Sequence, residues 1–336
     1  WFHSSLLTSI ANYNDAPYEN VVTSGFVVDG EGRKFSKSLG NGVEPRQLLD
    51  KYGMDIIRLW VASSDYSEDV RYSEEIIKNS ADAYRRFRNT FRFLLGNLGD
   101  FSEKNATEDF PELESYMRHR LNAVCTEVQA HYANFKFHLG YRALYDFCNT
   151  ELSNFYFDVR KDALYCDAKN ASRRRACQTM LLDILKALCT HLAPLMPFTT
   201  DEVWRSRFGQ NQSVHYQIHP VLDVKDINVE KFEELLSIRE HVNLQREKLR
   251  ANSDIGHDYE ATAKITTKMN ISTELLEEVC LLSDVTVEKG EKNVQVTKAQ
   301  GQKCPRCWTY HAELTEGVCA RCHTALKEDG HKVAVA

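Results

Sequence analysis

Lys34 and Lys37 stand three residues apart with the hydroxyls of Ser36 and Ser38, in a stretch bracketed by Gly30, Gly32, Gly40 and Gly42. Mobile cations, hydroxyl donors and glycines that let backbone approach closely are what a loop closing over phosphate needs. The same residue types also make a solvated basic turn, and Lys-Phe-Ser-Lys-Ser alone does not choose between the two. A second group is Cys304-Pro-Arg-Cys307, eleven intervening residues, then Cys319-Ala-Arg-Cys322. Two such knuckles can wrap four thiolates tetrahedrally around Zn²⁺, and a four-sulfur shell leaves no open position, so the expected ion is a single structural zinc. Free or redox-active thiols are one alternative. A shell of three cysteines with His311, His323 or His331 is another.

The lysine stretch needs a mount. Val21-Val22 and Phe26-Val27-Val28 are β-formers separated by Thr-Ser-Gly, which predicts a strand pair with the loop hanging from its end at Asp29-Gly30. Before it, Leu6, Leu7 and Ile10 at helical spacing predict a short buried helix that ends between Asn12 and Pro17. After it, Pro45 and Gly53 frame a helix of about two turns, and Asp55 opens Ile56 to Trp60 as the last piece of an α/β part.

From about Ser73 to Gly209 the pattern changes to long amphipathic helices. Tyr84, Phe87, Phe91 and Leu94 make a stripe that reads as core before base-stacking platform, and Arg85, Arg88 and Arg92 run beside it as a solvated or a phosphate-contacting face. Leu121, Val124 and Val128, then Leu144, Phe147, Leu152 and Phe155, continue the bundle. Arg173, Arg174 and Arg175 follow Ser172 at a helix N-terminus, where the macrodipole disfavours cations. An RNA backbone or plain solvation are the two explanations. Cys177, Leu181, Ile184, Leu188 and Leu192 form the apolar face that follows, and Thr199 with Glu202 reads as a capping box for a helix carrying Trp204. Residues 210–228 read as a linker, Phe232 to Leu249 as a further helix, and 260–296 as a small α+β module.

Composition bounds the rest. The 336 residues allow two or three cores. Apolar residues at 43% and charged residues at 27% are ordinary globular values, and no apolar run approaches the roughly 18 residues of a membrane span. A soluble, cytoplasmic protein is expected. With a net charge of -6, a nucleic-acid partner has to be held by local basic patches. The six other cysteines, Cys125, Cys148, Cys166, Cys177, Cys189 and Cys280, are scattered through helical patterns and read as reduced thiols. A start at Trp1-Phe2, with neither Met nor a basic leader, predicts residues upstream.

Asp29-Gly30-x-Gly32-Arg33 before the lysines and Leu39-Gly40-Asn41 after them resemble the Lys-Met-Ser-Lys-Ser (KMSKS) loop of class I aminoacyl-tRNA synthetases, with Phe35 in place of Met. His191-Leu-Ala-Pro-Leu-Met-Pro-Phe-Thr-Thr-Asp-Glu-Val-Trp204 resembles the anticodon-binding domain of the isoleucyl, valyl, leucyl and methionyl subgroup. Arg239 through Gly256 is similar to the junction that follows it in isoleucyl and valyl enzymes, and the terminal cysteine knuckles with Trp308 resemble the finger ending many bacterial isoleucyl enzymes.

The resemblance implies a multidomain, mainly α protein corresponding to the C-terminal third or so of an isoleucyl-tRNA synthetase. Residues 1–72 would end an α/β Rossmann-like catalytic domain, 73–209 would be the helical anticodon-binding domain, 210–300 a linker and α+β junction, and 301–336 the zinc finger. It also implies activation of isoleucine with Mg-ATP and transfer to tRNA(Ile), by a monomer. Lys37, and secondarily Lys34, would stabilise charge on the β- and γ-phosphates as catalytic residues. Ser36 and Ser38 would help bind ATP, and Trp1 would line the isoleucine pocket. No His-x-Gly-His occurs in the sequence, so this chain alone is expected to bind tRNA without activating an amino acid. A valyl or leucyl enzyme, a non-enzymatic tRNA-binding module and a DNA-binding zinc ribbon are the rival readings.

Overall fold

The computed structural model describes residues 1–36 and 38–330. Twelve α-helices and seven short strands follow one another in it: α1 (Phe2–Tyr13), β1 (Val27–Val28), α2 (Pro45–Tyr52), α3 (Met54–Ser63), β2 (Val70–Arg71), α4 (Glu74–Asn97), α5 (Glu112–Ala133), α6 (Phe137–Asp146), a π-helical turn region (Phe147–Tyr156), α7 (Phe157–Cys166), α8 (Ser172–Leu192), α9 (Pro197–Phe208), α10 (Val229–Ala251), β3 (Ala261–Thr267), α11 (Thr273–Cys280), β4 (Asp284–Lys289), β5 (Asn293–Lys298), β6 (Gln302–Lys303), β7 (Tyr310–His311) and α12 (Ala320–Glu328).

Two expectations near the start are corrected. Val21 and Val22 form no strand; β1 pairs instead in parallel with β2, Val27 opposite Val70. The pairing closes because Gly25 lies so near the Glu68 carbonyl that a Cβ there would come within 2.3 Å of its oxygen. The helix α1 forms as its spacing predicts but buries nothing: Leu7 is 63% and Ile10 46% exposed. Periodicity predicts an apolar face, and no described element packs against this one.

The core stripe on α4 is buried as its spacing requires, Phe87, Phe91 and Leu94 all within 2% of full burial. Ser73 caps that helix by accepting from the Ile76 amide. One continuous apolar core runs from Leu59 through the helices to Val296, so the bundle and the small sheet share it. In that sheet β3 is central, parallel to β4 and antiparallel to β5. The α+β reading of 260–296 therefore matches the elements present. Cys125, Cys148, Cys177 and Cys280 lie buried in the helices, and burial pushes each thiol up to about 12.

The capping box expected at Thr199 is absent. The N-terminus of α9 is capped across the fold by Asp55 of α3, whose carboxylate accepts from the Phe198 amide at 3.4 Å, the Thr199 amide at 2.7 Å and the Thr199 hydroxyl at 2.6 Å. Arg58, one turn further along α3, donates to the Pro194 carbonyl at 2.6 Å. These bonds anchor the α/β segment to the bundle, because a buried carboxylate facing orphan amides and a guanidinium facing orphan carbonyls each leave unsatisfied groups if pulled apart. Among the described residues, no helix is long and apolar enough to cross a membrane.

Candidate active-site loop and metal centre

The lysine loop leaves β1 at Asp29 and is held by two side chains. Asp29 accepts from the Glu31 amide at 3.0 Å, the Arg33 amide at 2.8 Å, the Arg33 Nε at 2.9 Å and the Asn41 Nδ2 at 2.9 Å. Asn41 Oδ1 in turn accepts from the Ser36 amide at 2.9 Å. Donation by Asn41, and then by Arg33, holds the Asp29 carboxyl well below its usual range. Phe35 anchors the loop edge-on to Tyr72, 6.1 Å between ring centroids, and Tyr72 packs on Trp60 at 5.7 Å. An apolar residue in this position is thus a foot on the small core around Trp60, Val70 and Ile77.

Lys34 is exposed, with its ammonium 4.8 Å from the centre of the Phe26 ring. The Ser36 and Ser38 hydroxyls share a hydrogen bond of 2.6 Å. Lys34, Ser36 and Ser38 therefore lie together on the loop, while Lys37 lies outside the described residues. Trp1 does not join them. It is fully exposed, and the described chain builds no amino-acid pocket around it.

At the metal centre Cys304, Cys307, Cys319 and Cys322 are all buried, and their sulfurs lie within 4.8 Å of one another. The Cys307 and Cys319 sulfurs are 3.7 Å apart. A tetrahedron with Zn–S bonds of about 2.3 Å has S···S edges of about 3.8 Å, so the shell fits zinc. The first knuckle closes through the Trp308 amide on the Cys304 carbonyl, with Trp308 at φ 68°. The second opens α12, whose N-terminus favours thiolate at Cys319 and Cys322. Among the described residues these four are the group able to hold a metal; the His311 ring is bonded to the Thr309 hydroxyl at 2.7 Å, and His331 lies outside the described residues.

The finger is seated on the bundle. Arg306 donates to the Cys166 carbonyl, the Cys166 thiol donates back to the Arg306 carbonyl at 3.4 Å, and Arg321 of α12 donates to Asp162 at 2.6 Å and Asp167 at 3.2 Å. Carboxylates and side-chain amides of the fold likewise explain the three arginines of α8, for which both sequence explanations fail. Arg173 is bonded to Asp162, Asp167 and Glu278, Arg174 to Asp100, and Arg175 to Gln178 and Asn170. They are internal ties, and spacing could not reveal it because their partners lie up to 105 residues away. Arg88 and Arg92 remain exposed, and with Asn89, Glu202 and Ser206 they line a groove of about 610 Å³ between α4 and α9.

With its lysine loop on a strand end and α3 bonded to a helical bundle, the chain matches two models of tRNA synthetase domains. The family model described as tRNA synthetases class I (I, L, M and V) matches residues 1–73, and that of the anticodon-binding domain of tRNA ligase matches residues 114–265. In fold the chain is similar to the leucyl-tRNA synthetase (LeuRS) in the ternary LeuRS-tRNA-LeuAMS complex of Agrobacterium radiobacter K84, with a TM-score of 0.52, 19% identity and coverage of 79% of this chain and 29% of that one.

Within the class the likenesses in sequence are more specific. The isoleucine–tRNA ligase of Pelagibacter ubique is 41% identical over 92% of this chain, that of Methylacidiphilum infernorum 40% over 97%, and that of Natranaerobius thermophilus 38% over 97%. The chain belongs to the isoleucine–tRNA ligase family. It spans between 36% and 39% of the length of these relatives.

Proposed function

We propose that this chain supplies the phosphate-handling loop, the anticodon-binding bundle and the zinc finger of an enzyme that activates isoleucine with Mg-ATP and transfers it to tRNA(Ile). The observation that carries the reading is the lysine loop held on β1 in a segment whose helix α3 is bonded through Asp55 and Arg58 to the bundle, so that the part handling phosphate departure is anchored on the RNA-binding part. Lys37 and Lys34 place cations at the β- and γ-phosphates, where charge builds as pyrophosphate leaves; this is electrostatic catalysis without proton transfer. Ser36 and Ser38 shape the loop and donate to the triphosphate. Trp1 contributes to the isoleucine pocket. The division of labour follows residues 1–72, 73–209, 210–300 and 301–336, in a cytoplasmic monomer.

The four thiolates hold one zinc, which crosslinks the finger and leaves no coordination position for reaction. Arg88 and Arg92 in the groove between α4 and α9 are the phosphate contacts. Trp308, Tyr165, His257 and Arg306, around a cavity of about 320 Å³ beside the finger, suit an unstacked base. The test is a filter-binding titration of the 336-residue chain with tRNA(Ile) across salt concentrations. Binding that falls steeply with salt is expected, and Arg88→Ala with Arg92→Ala should flatten the log–log slope by roughly 1 to 2. A slope unchanged by both substitutions removes the groove from the reading, and the absence of tRNA binding removes the reading itself.

A further inference from the structure

We infer that Asp29 and Asn41 are positioning residues for the lysine loop, acting as a two-residue clasp that sets where Lys34 and Ser36 present themselves to a triphosphate. This rests on the proposed phosphate-handling role of the loop and adds to it the pair that makes the loop competent.

The carboxylate of Asp29 spends its acceptor capacity on four donors, two amides within the turn, the Arg33 Nε and the Asn41 amide group. Asn41 reaches the opposite side. Its Oδ1 takes the Ser36 amide at 2.9 Å, and its Nδ2 lies 3.4 Å from the Lys34 carbonyl as well as 2.9 Å from Asp29. Residues 29, 33, 34, 36 and 41 are therefore tied through one side-chain contact. The Arg33 Nε bond is at the same time an ion pair, and Arg33 reaches Glu31 at 2.9 Å as well. Among the described residues Lys34 enters no ion pair, so the acids of the loop are matched by Arg33 and the Lys34 ammonium stays available for an anion. Its donors hold Asp29 ionised, and the Arg33 guanidinium beside it offsets its charge towards an approaching phosphate.

The clasp also has a chemical polarity that a test can invert. Asp29 accepts, and Asn41 both donates to it and accepts from Ser36. In Asn41→Asp two carboxylates face each other where a hydrogen bond of 2.9 Å stood, and the pair must separate or take up a proton. In Asp29→Asn the group at the Oδ2 position becomes a donor facing the Asn41 Nδ2 donor, so that bond and the Arg33 pair are lost unless one amide turns and gives up its backbone partners, while no like charges are brought together. The double exchange combines Asp29→Asn with Asn41→Asp. The amide brought to the first position then donates to the carboxylate brought to the second, so the bond is restored with its roles reversed. That carboxylate still accepts from the Ser36 amide, and the net charge equals that of the starting chain.

Two readouts on the 336-residue chain test this. The first is hydrogen exchange of the Ser36 amide by NMR; the second is calorimetric binding of Mg-ATP and of inorganic tripolyphosphate. Asn41→Asp should speed Ser36 exchange and weaken tripolyphosphate binding, each by roughly tenfold or more, the scale of losing a charge-assisted hydrogen bond. Asp29→Asn should weaken binding less, and the double exchange should return both readouts to within roughly threefold of the starting chain. Were the pair to act only through charge, Asp29→Asn would bind the anion more tightly than the starting chain, which overturns the clasp. A double exchange no better than Asn41→Asp overturns it too. If the starting chain binds neither Mg-ATP nor tripolyphosphate, the phosphate reading of the loop falls, and the positioning role with it; normal binding with indifferent variants removes the clasp alone.

Discussion

Arg160 tests how the RNA-binding part is held together. It is 1% exposed on α7, donating through Nε and Nη2 to the fully buried Glu114 of α5 at 2.5 and 2.7 Å and through Nη1 to Glu278 of α11 at 2.7 Å. Tyr156 adds a bond to Glu114 at 3.1 Å. One guanidinium thus ties the bundle to the α+β module. Arg160→Met keeps much of the volume but leaves the buried Glu114 carboxyl with only a tyrosine hydroxyl as partner, and breaking such a pair costs about 3 to 5 kcal/mol. Adding Glu114→Gln removes the orphaned charge and leaves an amide that Tyr156 can still bond, so the double variant should regain about half or more of the loss. Urea unfolding followed by far-ultraviolet circular dichroism reads both. A loss under about 1 kcal/mol for Arg160→Met, or a double variant as unstable as the single, would refute the reasoning, because either means that Glu114 is not confined in a site where its charge needs a partner.

Two other outcomes follow from the same geometry. Purified chain should carry close to one zinc, and Cys319→Ser should lose it; since Arg306 and Arg321 seat the finger on Cys166 and Asp162, that variant should also expose the Cys166 thiol to iodoacetamide. Full zinc content, or Cys166 still protected, contradicts this. His191 is fully buried, bonded to the Ala187 carbonyl at 2.8 Å and stacked on His219 at 4.0 Å, and burial pulls it down to about 4 from 6.5. The unfolded chain binds that proton more readily, so the contribution of the neutral ring is complete above about pH 6.5 and is lost as pH falls towards 4, about 3 kcal/mol in all. His191→Gln should flatten the urea midpoint over that window, and an unchanged pH profile would show that another group governs it.

What the sequence determined by itself was whatever depends on neighbours along the chain. The periodicity of Phe87, Phe91 and Leu94 decides which face of α4 is buried, because helical geometry brings those positions together regardless of partner. The knuckle spacing of Cys304, Cys307, Cys319 and Cys322 likewise permits a tetrahedral shell, since each Cys-x-x-Cys is a local turn. The lysine loop was legible as residue types and bracketing glycines, and Asp29 and Asn41 were visible as flanks but not as a bonded pair.

Only the tertiary structure decided the partners. Val27 pairs with Val70, not with the nearer Val21 and Val22, because Gly25 permits backbone contact with Glu68. Asp55 rather than Glu202 satisfies the start of α9, and the cations of α8 are absorbed by Asp100, Asp162, Asp167 and Glu278 instead of facing water or RNA. Buried hydrogen-bonding groups and charges must be matched, but a sequence states only that the need exists. Which distant residue meets it depends on how the elements pack, and the energy of that match is spread over contacts that no window along the chain contains.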